Sequence, residues 1–176
     1  MACHISQLLQ FLHELRHCLL GLIGIAAPVV LYQVSLPFKA AVSRIPDATI
    51  VAFHSWRIVA GFAFLFYGTH GLLPQAFVRN AGYGDIAVAA LVLALPESKR
   101  KYIGFHVFGL ADFVGAVGTG LYFTLIHHPL QENLFSFPLV LVPWFGVGLS
   151  GASHLITLQR LLGLNGATWD DATKSL

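Results

Sequence analysis

"IGFHVFGLADFVGAVGTGLYFTLI", residues 103 to 126, is an apolar run whose only formal charge is Asp112. A run of this length meets the ~20 apolar residues that a bilayer-spanning helix needs. It lacks the strict two-residue alternation of a barrel strand. Four companions, residues 19–32, 50–73, 86–95 and 137–162, are built the same way. The sequence therefore predicts an all-α, polytopic transmembrane helical bundle of about five spans, with residues 1–176 forming one integral-membrane domain. Composition agrees: 56% of residues are hydrophobic and 10% charged, against about 25% charged in soluble domains, and mean hydropathy is +0.73. Seventeen Gly and 14 Phe suit close helix packing in lipid. No repeat with a period of 20 to 50 residues recurs.

Basic residues set the expected orientation. With the N-terminus outside, Lys39, Arg44, Lys99, Arg100, Lys101, Arg160 and Lys174 fall on the cytoplasmic side, Arg16 and Arg79 outside, and Arg57 within a span. The expected location is the bacterial inner membrane, N-terminus out and C-terminus in. The formal charge of +2 then reflects sidedness. No basic patch with interleaved aromatics is present, which excludes nucleic acid as a partner. The opening residues, with Ala26 and Ala27 after an apolar stretch, look like a signal peptide, and are read here as retained. Cys3 and Cys18 match no zinc or haem-attachment spacing. They read as buried or lipid-facing thiols, with a disulfide as the alternative.

The third run is the odd one. Ile86 to Pro96 covers only ~16 Å as a helix, about half of a ~30 Å hydrocarbon core. The preceding "LPQAFVRNAGYG" contains Pro74, Gly82 and Gly84, so the third span is expected to be short or broken, with Pro74 to Gly84 re-entrant. Asp85 then caps the following helix, accepting backbone N–H groups. The same capped half-helix would present a charge to an outward-facing polar pocket near Tyr83, His70 and Tyr122, with Arg79 as a partner for Asp85.

Charges inside spans cost roughly 2.5 to 3.5 kcal/mol each on insertion scales and are usually paired or functional. Arg57 in "HSWRIVAGF" and Asp112 in "FGLADFVGAVGTG" lie at roughly 9 Å and 13 Å depth, and His154 in "SGASHLITL" reaches a similar level. Three titratable groups from three helices thus fall in one layer. A register-fixing Arg57–Asp112 ion pair is one reading. A proton, ion or small-ligand site made of Arg57, Asp112, His154 and Asp85 is the other.

Nine histidines form a second constellation. His13 and His17, four residues apart, share a helical face suited to chelation. Together with His70, His127 and His128 they form a candidate outer-face metal set, for a haem or for a copper, iron or zinc ion. His54, His106 and His154 fall near the inner face. Two stacked haems would need two aligned histidines on each of two helices. His106 and His128 are about 40° from alignment, but His54 and His70 are about 160° apart, so that pattern fails.

No phosphate loop, nucleophile elbow, HExxH or dinucleotide fingerprint occurs. Ser150 and Ser153 sit on the same helix as His154, too close in sequence to form a good hydrolase pair. The ordered set Trp56, Arg57, Leu73, Pro74, "AGYGD" at 81–85, "GLAD" at 109–112, Pro138, Pro143 and His154 resembles a group of small multi-pass bacterial membrane proteins of unassigned function. "RIVAGFAFLFYGTHG", residues 57–71, is locally similar to the first helix of DoxX-like proteins. Neither resemblance implies a reaction. Three functions follow from the residues: a buried Arg/Asp/His layer handling a proton, ion or small ligand; a haem- or metal-binding redox protein using the outer histidines; or a noncatalytic subunit packing against other membrane subunits or its own copies. Beyond these, the lipid bilayer is the partner.

Overall fold

The computed structural model describes residues 2–94 and 98–164, with the side chains of residues 2–11, 13–15, 17 and 18 outside that description. The side chains of Cys3 and Cys18, and Lys174 as a whole, therefore lie outside the description. Every regular element among the described residues is helical.

Helix α1, Ala2–Val34, ends at Ser35. There the chain bends by 103° into α2, Leu36–Ser43. Ser35 Oγ accepts a hydrogen bond from the Phe38 N–H at 3.4 Å, and Pro37 occupies the first turn, where its missing N–H costs nothing. Helix α3, Asp47–Thr69, tightens to a single 3-10 turn at His54–Trp56. Helix α4, Gln75–Ala94, widens to a π turn at Val78–Gly82. Helix α5 is Lys99–Leu125. A 3-10 segment, Pro129–Phe135, leads toward α6, residues 142–161, which begins with a second π turn at Val142–Gly146.

Packing sets the directions. Val51 of α3, Val88 of α4, Tyr102 and Phe105 of α5 and Leu161 of α6 share one cluster, which gathers the start of α3 and α5 with the end of α4 and α6. A second cluster, with Phe64, Phe77, Val78 and Leu134, closes the other end. Helices α1 and α6 run parallel, because Gly24 lies against Gly148 while Tyr32 lies with Ala152 and Ile156. The Gly24–Gly148 approach leaves no space for a Cβ on Gly148 and little for one on Gly24. Five long helices therefore alternate in direction. Arg160 ties one end together, donating to the Val42 and Ile45 carbonyls at 3.2 and 3.1 Å and pairing with Asp47 at 3.2 Å.

Helices α3, α4 and α5 are each long and apolar enough to cross a membrane, and the bent pair Leu19–Val34 with Leu36–Ser43 qualifies as a fourth. Helix α6 carries Ser150, Ser153, His154, Thr157, Gln159 and Arg160 and is less apolar. On α3, Val59, Phe62 and Phe66, three and four residues apart, expose 70%, 58% and 58% of their surface along one face.

The expected break in the third segment is corrected. Residues 75–94 form one 20-residue helix, ~30 Å long, and Asp85 lies within it rather than at its cap. Pro74 is the N-terminal boundary of α4. The glycines that suggested a turn are packing positions instead: Gly82 lies against Leu65 and the Gly61 carbonyl, and Gly84 against Asp112. The irregularity that does exist is the π turn, which leaves the helix continuous.

Candidate functional site

Arg57 enters α3 just after its 3-10 turn, and its side chain is 3% exposed. Its Nε donates to Asp85 Oδ1 of α4 at 2.5 Å, and its Nη2 donates to Asp112 Oδ2 of α5. Three helices thus meet on one guanidinium. The third nitrogen, Nη1, is buried without a partner. Gly84 makes the arrangement sterically feasible, since a Cβ there would collide with the Asp112 carboxylate. One cation faces two carboxylates, so with both ionised one negative charge is left uncompensated in a low-dielectric interior, where charge imbalance is costly. Arg79, the partner expected for Asp85, is exposed.

His154 lies apart from that cluster. Its ring stacks on His54 with centroids 4.0 Å apart and planes 19° apart, and its Nδ1 is 2.9 Å from Nδ1 of His106. All three histidines are fully buried. Phe105 packs edge-on to His54 at 5.5 Å, and Ser153 Oγ lies 3.2 Å from His54 Nε2. Gly109 admits the His154 ring, which a Cβ would strike. His54 and Arg57 are three residues apart on α3 and so share a face. The histidine group therefore lies next to the Arg57 layer, toward the start of α3.

Beside Arg57 a cavity of about 120 Å³ opens between α1, α3, α4, α5 and α6. Its walls are mainly apolar, with Phe64, Phe77, Phe113 and Leu134 prominent. Six residues with polar side-chain groups line it, and four of them have a buried atom without a partner: Arg57 Nη1, Trp56 Nε1, Ser150 Oγ and Gln131 Oε1. Gln131 comes from the 3-10 segment over the helix ends and is held by its amide nitrogen, which donates to the Gly120 carbonyl at 3.2 Å. Gly146 leaves room for the Trp56 indole.

The outward pocket expected around Asp85 has a different lining. Tyr83 and Tyr122 are 60% and 58% exposed, and the cavity is bounded by Trp56, Phe77 and Gln131 instead. Of the outer histidines, His70 is exposed with Nδ1 2.8 Å from the Phe66 carbonyl. His128 Nδ1 accepts from the Leu130 N–H at 3.3 Å, and His127 sits at a positive φ of 52°. Among the described residues these three do not gather into a metal-binding group, whereas the inner histidines do. The side chains of His13 and His17 lie outside the described residues. His54 and His106 escape notice as site residues when each is matched only against a second histidine on its own helix. The usable signal was that both fall in the same inner layer as His154.

A family model described as a domain of unknown function, DUF8737, matches residues 15–162. The chain belongs to this family. The match takes in Arg57, Asp85, Asp112, all three inner histidines and every cavity residue named above. No curated protein and no solved structure matches the chain.

Proposed function

We propose that this is a five-span protein of the bacterial inner membrane, N-terminus outside and C-terminus inside, that binds a small, mostly apolar, neutral molecule in the cavity beside Arg57. The membrane reading is supported by the alternating helices, by the outward apolar face of α3, which a soluble protein would rarely leave bare, and by the basic residues collected at one end. In it, α1 and α6 count as spans along with the three most apolar helices.

One observation carries the ligand reading. Four residues that line one apolar cavity each carry a buried polar atom without a partner. A buried unsatisfied polar atom costs about 1 to 3 kcal/mol, so such a group tends to be kept where something uses it. Arg57 Nη1 and Trp56 Nε1 can only donate, Ser150 can do either, and Gln131 Oε1 can only accept. A ketone or ester oxygen set in an apolar frame answers the three donors, Arg57 Nη1, Trp56 Nε1 and the Ser150 hydroxyl. The adjoining carboxylate excess argues against an anion, which would add a second unbalanced charge. Recognition by a few placed polar groups in an apolar pocket is the usual form of such sites.

Paired probes test this. p-Bromoacetophenone carries the accepting oxygen, and p-bromoethylbenzene has a similar frame without it. The ketone should raise the melting temperature of the detergent-purified protein saturably and the hydrocarbon far less, with the ketone effect lost in Ser150→Leu. Equal effects of the two compounds, or none from either, would refute the polar recognition.

A further inference from the structure

We propose that His54, His106 and His154 form a transition-metal site, in which three imidazoles from α3, α5 and α6 hold one copper ion. This goes beyond the cavity reading and does not depend on it.

The geometry comes first. Each histidine offers a ring nitrogen, and the three nitrogens lie within 4.8 Å of one another. Ligation at ~2.0 to 2.1 Å sets neighbouring nitrogens ~3.5 Å apart, so small ring rotations suffice. The stacked His54 and His154 rings must turn to aim their lone pairs at a common point. Gly109 admits the His154 ring to this position, where any Cβ would strike it.

The hydrogen bonding points the same way. His54 Nδ1, His106 Nε2 and His154 Nε2 are buried without partners. Ser153 Oγ engages His54 Nε2 at 3.2 Å, which assigns that nitrogen the outer role and leaves Nδ1 for a metal, as hydrogen-bonded ligand histidines commonly are. A neutral histidine pair explains one contact, the Nδ1 to Nδ1 approach of His106 and His154. It leaves the other three atoms unused.

Charge and ligand type name the ion. The adjacent layer sets Arg57 against Asp85 and Asp112, and a cation next to it offsets the remaining negative charge. An all-imidazole set lacks the oxygen ligands that calcium and magnesium require and suits copper, zinc, iron or nickel. Among these, monovalent copper accepts a three-coordinate imidazole set and matches the single uncompensated charge of the layer.

The test uses the full chain, purified in detergent, stripped with chelator and reloaded with Cu⁺ or Zn²⁺ before gel filtration and elemental analysis. About one copper per chain should be retained. His106→Gln and His154→Gln should each weaken retention by more than about tenfold, since losing a ligand costs at least as much as losing a supporting residue. The double variant His70→Gln/His128→Gln should retain the ion fully. X-ray absorption of the copper-loaded wild type should show imidazole scattering, a readout that stands even if an inner variant fails to fold. Absence of retained copper, tighter retention of zinc than of copper, loss only in the outer variant, or a spectrum without imidazole would overturn the proposal.

Discussion

Arg57 is the residue on which three helices depend, and the imbalance around it has measurable consequences. Replacing either Asp85 or Asp112 by Asn still leaves Arg57 one carboxylate, whereas Asp85→Asn/Asp112→Asn leaves it none. Stranding one partner of a buried pair costs about 3 to 5 kcal/mol. We therefore predict that each single variant loses much less stability than the double variant, and that Arg57→Gln, which leaves two carboxylates facing each other, is as severe as the double. Thermal unfolding in detergent would check this, and equal losses for single and double variants would mean that the two carboxylates do not share Arg57. The glycines give a sharper steric test. Gly84→Ala must displace the Asp112 carboxylate, while a Cβ at Gly118, further along α5, meets nothing within 4 Å. Gly118→Ala should be neutral or stabilising by up to about 1 kcal/mol from helix propensity, and Gly84→Ala clearly destabilising. If both melt like the wild type, the close approach of α4 and α5 is wrong.

At the scale of elements, the π turn of α4 decides which way Asp85 points. It inserts an extra residue before Asp85. Deleting Arg79, whose side chain is exposed, should restore a regular helix and turn the two halves of α4 by about 100° relative to each other, carrying Asp85 off Arg57. The deletion variant should lose the stability of that ion pair, and Asp85→Asn should then cost it nothing further. A full additional loss would show that Asp85 still holds Arg57. This element also marks where the sequence stops being legible. Apolar run length was enough to read an all-helical fold, and cost alone singled out Arg57 and Asp112 as paired or functional. Pro74, Gly82 and Gly84 have the same signature in a turn and in a tight helix contact, and only the neighbours, Leu65 and Asp112, distinguish the two. His54 and His106 were hidden for a related reason. Whether histidines on different helices meet depends on the rotation of each helix, which a single helix's own spacing does not encode.

For the whole molecule, the arrangement is a bundle closed at one end by Arg160 and the α2–α3 connection and at the other by the 129–135 segment, with its polar centre between them. The proposed orientation puts the Arg160 end inside. In a Cys3→Ser/Cys18→Ser background, a cysteine at Gly71 should react with a membrane-impermeant maleimide in intact cells, and one at Lys99 only after permeabilisation. The reverse pattern would invert the topology. The central claim is that the cavity beside Arg57 takes a neutral, oxygen-bearing ligand, and Trp56 sits in its wall as a built-in reporter. The most direct measurement keeps Trp56 as the sole indole, through Trp144→Phe and Trp169→Phe, and titrates its fluorescence with p-bromoacetophenone. The account predicts saturable quenching above the linear background of partitioning into detergent, abolished by Ser150→Leu. Quenching that rises only linearly and is unchanged by Ser150→Leu would contradict it.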